Sequence, residues 1–219
     1  MGGRAEMAIT GSLEALSNRD LESAAKIVEG DKKIDELEAE IDRQVVRLIA
    51  LRAPMADDLR EVLAALKIAG VVERMGDYAK NIAKRTPLLQ DVRNIDAMSV
   101  LPAMGKIVTE MVRNVLDAFV LRDALDAYVR RDTKMAQAVL DSDDELDTLK
   151  TVVFRELLTH MLKDQGTIEP ALDLILISRH LERIGDHATN VAEMVYFAAT
   201  GRQMAERAKG EDPLVGADA

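Results

Sequence analysis

Two stretches decide the reading of this chain: ERMGDYAKNIA at residues 73–83 and ERIGDHATNVA at residues 182–192. They share one pattern over eleven positions and lie 109 residues apart. Two further matches stand upstream in the same order. Arg19-Asp20 pairs with Arg131-Asp132, and the block Asp31, Ile34, Asp35, Leu37 pairs with Asp143, Leu146, Asp147, Leu149 at an offset of 112. Three ordered blocks mark an internal duplication. Apolar residues recur at helical spacing around them, so each copy reads as a three-helix unit whose members bury one stripe against their siblings.

The expected fold is therefore all-α, with two tandem pseudo-symmetric three-helix bundles. The first helix covers roughly Glu6 to Glu29 and stops at Gly30, a helix-ending glycine. The second runs from Asp31 to about Arg52 on a stripe of Ile34, Leu37, Ile41, Val45 and Leu48, ending before Pro54. The third reaches from near Asp57 to Arg85. A fourth is expected from Leu101 to about Leu140, a fifth from Ser142 to Lys163, and a sixth from Thr167 to about Thr200. This divides the chain into a first bundle at 1–88 with a short first helix, a linker at 89–100, a second bundle at 101–201, and a polar tail at 202–219 predicted to be disordered.

Composition agrees and narrows the function. Hydrophobic residues make up 48% of the 219 and charged residues 31%, enough for a real core, while aromatics are only 3%. That palette favours helices over a sandwich or barrel. The formal charge of −10 disfavours nucleic acid, whose affinity comes from Lys and Arg neutralising phosphates. There is no Cys, which excludes disulfides, thiolate metal sites and cysteine nucleophiles. The longest uncharged run, Ala97–Gly105, is nine residues, far short of the roughly 20 needed for a membrane span. No P-loop, dinucleotide fingerprint or nucleophile elbow is present. A soluble cytoplasmic protein is expected.

What carries chemistry is a set of acidic pairs at i, i+4: Asp31/Asp35, Glu73/Asp77, Asp143/Asp147 and Glu182/Asp186. That spacing puts both side chains of a pair on one helix face, where like charges cost a few tenths of a kcal/mol. Four such pairs at matching places call for a counter-ion. In the third helix Leu59, Leu63, Leu66 and Gly70 lead to Glu73, Asp77 and Asn81. In the sixth, Ile168, Leu172 and Ile175 lead past Arg179 to Glu182, Asp186 and Asn190. Carboxylates followed by an amide beside a bundle seam suit a hard cation, such as iron, manganese, magnesium or calcium, with zinc also compatible. The competing reading is plain: Asp31 and Asp143 as first-turn residues favoured by the helix dipole, and the mid-helix Glu73, Asp77, Glu182 and Asp186 paired with Arg74, Lys80, Arg179 or Arg183. Gly76 and Gly185, costly mid-helix, mark close packing or a backbone that lets something approach. His160, His180 and His187 do not match one another in the duplication and are read as surface or core residues.

The doubled Glu-Arg-x-Gly-Asp-x-Ala-x-Asn-x-Ala signature, the acidic block upstream of each copy, and LRAP at 51–54 followed by DLR at 58–60 resemble the PhoU family over about Ser12 to Ala199. The resemblance implies two symmetry-related three-helix bundles and metal binding through Asp31, Asp35, Glu73, Asp77, Asp143, Asp147, Glu182 and Asp186, with iron, zinc, manganese or magnesium as the ion. It also implies negative control of phosphate uptake and of the phosphate-starvation response. The family acts at the cytoplasmic face of the membrane with a phosphate ABC transporter ATPase subunit and a sensor histidine kinase, commonly as a homodimer. The alternative is a ferritin-like di-metal bundle handling iron or oxygen, but that class uses Glu-x-x-His motifs, which the sequence lacks.

Overall fold

The computed structural model describes residues 1–90, 99–121 and 129–204. Its helices are α1 (Gly2–Asn18), α2 (Leu21–Gly30), α3 (Lys32–Arg52), α4 (Asp57–Ala83), α5 (Leu101–Leu121), α6 (Val129–Lys163) and α7 (Ile168–Thr200). Among the described residues there are no strands. The fold is the all-α duplication the sequence implies, with helix breaks placed differently near Arg19 and near Ser142.

The expected first helix ends at Gly30 as anticipated, but it is also broken at Arg19–Asp20. Arg19 takes the left-handed conformation (φ 56°), and Asp20 opens α2 by accepting the backbone N–H groups of Glu22 and Ser23, both at 3.0 Å. Its carboxylate satisfies donors that the new helix would leave unpaired. The Arg19 guanidinium then donates to the Gln90 carbonyl at 2.8 Å, tying the break to the end of the first half. Gly30 makes no left-handed cap. The chain passes it into Asp31, which is right-handed (φ −58°, ψ −39°), so α2 and α3 follow with only a turn between them. In the second half even that interruption is missing: α6 runs unbroken for 35 residues through the expected boundary near Ser142. Residues 122–128 of the expected fourth helix, most of the linker at 91–98, and the tail beyond 204 lie outside the described residues.

The two bundles share one core. Buried residues from both halves, including Ile34, Ile68, Met75 and Ile82 with Met104, Leu146, Leu181 and Ile184, form one continuous cluster. α7 packs against α4, α5 and α6, and α1 lies between α4 and α5. The central helices are therefore buried on more than one side, and their core stripe is rotated from the expected one. On α4 the core is Ala64, Ile68, Val72, Met75, Ala79 and Ile82. On α7 it includes Leu174, Ile177, Leu181, Ile184, Ala188 and Val191. Leu63 and Leu172, placed in the seam by spacing, are 40% and 51% exposed. The stripe ending in Glu73 and Asp77 runs along the rim of the buried face.

Tyr78 and His187 occupy matching positions of the duplication, and their rings stack with centroids 5.6 Å apart and planes at 24°. The stack joins α4 to α7 through equivalent positions of the two copies. His180, two residues before the duplicated signature, packs on the same Tyr78 ring, also at 5.6 Å. Burial first, then the nearby Arg85 and Arg179 guanidinium groups, lower the His180 pKa to about 4. Arg85 in turn reaches Asp173 of α7 at 3.5 Å, so the seam joins aromatic stacking to a cross-helix ion pair.

Two outcomes follow from this packing. A histidine depressed in the fold and ordinary (about 6.5) when unfolded gives stability that is full above pH 6.5 and lost as pH falls toward 4. Thermal melts at pH 7 and pH 5 will show a larger drop for the native chain than for His180→Asn. A Cβ at Gly185 would lie 2.4 Å from Leu146 Cδ2, inside a buried neighbourhood, whereas one at Gly70 meets nothing within 4 Å. Gly185→Ala will lower unfolding free energy by about 1–2 kcal/mol through overpacking. Gly70→Ala will raise it by up to about 1 kcal/mol. Chemical denaturation measures both.

Candidate cation-binding clusters

The start of α3 approaches α4 at Gly76. A side chain there would sit 2.9 Å from Ile34 Cδ1 and 3.4 Å from Asp31 Oδ1. Gly185 stands in the same relation to Leu146 and Asp143 Oδ1, the latter at 3.3 Å. The duplicated glycine is thus explained by close approach: without a Cβ, each central helix lets a leucine or isoleucine and an aspartate fold against its backbone. Asp31 is 4% exposed and Asp143 is 6% exposed. These two residues are far more buried than first-turn surface acids would be.

Burying a carboxylate requires compensation. In the first half it comes from Lys80, three residues beyond Asp77 on α4. Its ammonium donates to Asp31 Oδ2 and to Asp77 Oδ1 at 2.6 Å, joining the start of α3 to the far end of α4. Those two hydrogen bonds, Asp31 first, hold the Lys80 pKa well above its ordinary value. The second oxygen of Asp31, Oδ1, is buried with no hydrogen-bond partner. Around this clasp stand Asp35, exposed on α3, and Glu73, half-buried on α4. Both carboxyls titrate above their usual range. For Asp35 the causes are burial and then the charge of Asp31; for Glu73 they are burial and then Asp77, Asp35 and Glu38. One ammonium serves an assembly of acids.

The second half uses a different cation. Lys150, from α6, lies 3.2 Å from Glu182 Oε1 and 3.5 Å from Asp147 Oδ1. Arg183 adds longer contacts, 3.6 Å to Asp186 and 3.9 Å to Glu182. The pairing expected with Lys80 and Arg183 is present. Lys150 was not anticipated, although it follows Asp147 by the same three residues that separate Lys80 from Asp77. Asn81 is half-buried and Asn190 exposed, and neither amide enters these ion pairs among the described contacts. Among the described residues, no three His, Asp or Glu side chains gather closely enough to hold a metal ion as they stand. In the first half, the Lys80 ammonium sits between the carboxylates that would have to converge.

The histidines were left aside in the sequence, and His180 and His187 prove to line the inter-bundle seam. Both ring nitrogens of His187 are buried without a hydrogen-bond partner, and its pKa is lowered by burial and then by Arg74. Its match with Tyr78 across the duplication is the signal that marks it in the sequence, since the equivalent position carries an aromatic ring and not a histidine.

Comparison with known proteins places this geometry. A family model described as the PhoU domain matches residues 1–86 and 120–195. The chain is 56% identical over 214 residues to the phosphate-specific transport system accessory protein PhoU homolog of Zymomonas mobilis, covering 98% of this chain and 86% of that one. Among solved structures it is similar to PhoU from Pseudomonas aeruginosa, with a TM-score of 0.83, 34% identity, and coverage of 92% of this chain and 93% of that one. It is also similar to the phosphate transport system regulatory protein PhoU from Streptococcus pneumoniae, with a TM-score of 0.81, 28% identity, and coverage of 93% and 91%. The doubled signature, the helical duplication and these matches together show that the chain belongs to the PhoU family.

Proposed function

We propose that this chain is a non-catalytic regulator of phosphate uptake that keeps the phosphate-starvation response off when phosphate is plentiful. The reading rests on one observation above the rest, the 56% identity to a phosphate-transport accessory protein across 98% of the chain. In this role it works at the inner face of the membrane as a homodimer, through a phosphate transporter ATPase subunit and a sensor histidine kinase. Recruitment by partners suits a chain in which, among the described residues, no helix is long and apolar enough to cross a membrane.

The acidic clusters bind a hard cation in this reading, iron, zinc, manganese or magnesium, through Asp31, Asp35, Glu73 and Asp77 and through their counterparts Asp143, Asp147, Glu182 and Asp186. Support comes from the buried, unpartnered Asp31 Oδ1 and from the ammonium already drawn between Asp31 and Asp77 as a stand-in cation. Oxygen-only donors of this kind suit hard ions. The ion would neutralise the assembled carboxylates and brace α3 against α4.

Tagged full-length chain from phosphate-replete cells should recover the transporter ATPase and the sensor kinase, and a deletion strain should express a starvation reporter in rich phosphate. A silent reporter together with no recovered partner defeats the regulatory reading. For the clusters, elemental analysis of protein purified without chelator should show metal in the native chain and at least a halving in Glu73→Ala/Asp77→Ala. Equal and negligible metal in both defeats the cation reading while leaving the regulatory one standing.

A further inference from the structure

The outer face of the α4–α7 seam collects arginines. Tyr78, His180 and His187 form its floor and are half-buried. On α4, Arg74 and Arg85 stand four residues before and seven after Tyr78, spacings that share its helix face. On α7, Arg179 adjoins His180, and Arg183 lies three residues after His180 and four before His187. Tyr78 touches both histidine rings, so the four guanidinium groups flank one floor. Beyond the effect of burial, His180 feels Arg85 and Arg179, and His187 feels Arg74 and Arg183. The order along the seam follows: Arg85 and Arg179 at the His180 end, Arg183 between the rings, and Arg74 at the His187 end. From the rise of an α-helix, the strip from Arg74 to Arg85 is about 16 Å long.

These charges are only partly answered. Arg85 faces Asp173 at 3.5 Å, and Arg183 keeps its long contacts to Asp186 at 3.6 Å and Glu182 at 3.9 Å. Arg74 and Arg179 are exposed and make no hydrogen bond or ion pair among the described residues. They stay unpaired although Arg74 directly follows Glu73 and the chain carries 39 acids against 29 Lys and Arg. A row of guanidinium forks suits an anion, and each fork fits phosphate oxygens two at a time. Asn81 and Asn190 stand three residues beyond Tyr78 and His187 on the same faces and add amide donors. The row is elongated, which suits several phosphates in line better than one. Acidic clusters border it on both sides, Glu73 and Asp77 toward α3 and Glu182 and Asp186 toward α6. They repel a broad acidic surface and leave access to a narrow chain.

We propose that this strip binds a linear phosphate polyanion, an oligophosphate or the phosphate chain of a nucleotide, laid along Arg74, Arg183 and Arg179. The site lies outside the acidic clusters and needs no metal in them. The test is calorimetric titration of the full-length chain, in buffer containing a chelator, with tripolyphosphate, ATP and orthophosphate. Tripolyphosphate is expected to bind saturably and about tenfold or more tighter than orthophosphate. Arg74→Gln/Arg179→Gln, which breaks no ion pair, should weaken tripolyphosphate binding by about tenfold with an unchanged thermal melt, and Arg183→Gln should weaken it as well. Arg47→Gln/Arg52→Gln removes the same charge from exposed positions of α3. That control should bind within about twofold of the native chain. ATP binding at least as tight as tripolyphosphate, and lost in the same variants, identifies a nucleotide as the source; weaker ATP binding identifies free oligophosphate. The strip stands in both cases. It is overturned if neither tripolyphosphate nor ATP binds saturably, if Arg74→Gln/Arg179→Gln binds as the native chain does, or if the α3 control loses as much. Equal affinity for orthophosphate overturns the linear ligand. A penta-glutamate peptide that displaces tripolyphosphate at equal concentration also overturns it, in favour of an acidic peptide.

Discussion

Two aspartates have to be buried for the helices of this protein to cross where they do. Asp31 and Asp143 each lie beside an aliphatic neighbour, Ile34 or Leu146, against a glycine of a central helix. The glycine makes the approach close, and the close approach takes water from the carboxylate. Desolvation of an ion costs several kcal/mol unless charge and hydrogen bonds replace the solvent, so each crossing needs a cation. Lys80 supplies it directly in the first half. In the first half, removing the glycine, the acid or the ammonium therefore disturbs the same helix crossing, the glycine also through its contact with Ile34.

The remaining acids follow from that arrangement. Once a cation is held between α3 and α4, or between α6 and α7, further carboxylates can crowd around it. Asp35 and Glu73 do so, at a cost visible in the upward shift of both carboxyls from burial and mutual repulsion. A cluster in which the acids outnumber the resident ammonium groups is under-neutralised. Such a cluster responds to added positive charge, which a fully paired surface network would not.

The duplication was legible in the sequence because its signature mixes residue types with incompatible preferences: a mid-helix glycine, acids at i, i+4, and small residues between. Patterns of that kind are set by geometry and not by helix propensity, so they survive in both copies. Helix ends were less legible. α2 ends at Gly30 as the sequence suggests, but without a left-handed cap, because the backbone stays right-handed at Asp31 and enters α3 after a single turn. The break at Arg19 is capped locally by Asp20, and only the added tie from Arg19 to the Gln90 carbonyl, 71 residues away, is invisible to a local pattern. Lys150 escaped notice for a similar reason. Its spacing from Asp147 marks an ordinary intrahelical pair, and only the packing of α7 alongside α6 brings Glu182 to the same ammonium. The rotated core stripes of α4 and α7 have one cause: both helices are enclosed on several sides, and a single-face periodicity does not describe a helix with more than one buried face.

The seam between the halves and the two acidic clusters are built on the same pair of helices. On α4, Glu73 and Asp77 turn toward α3, Met75, Ala79 and Ile82 fill the shared core, and Tyr78 meets His180 and His187. On α7, Glu182 and Asp186 face the cations of the second cluster while His187 returns the stack. Tyr78 immediately follows Asp77, and His187 immediately follows Asp186, so each acid and its seam ring are carried on adjacent residues of one rigid turn. A change in charge at Asp77 is thus felt one residue from the ring that joins the bundles. A common hydrophobic core lies beneath both, and the acidic clusters differ where the duplication has exchanged Lys80 for Thr189 and Glu38 for Lys150.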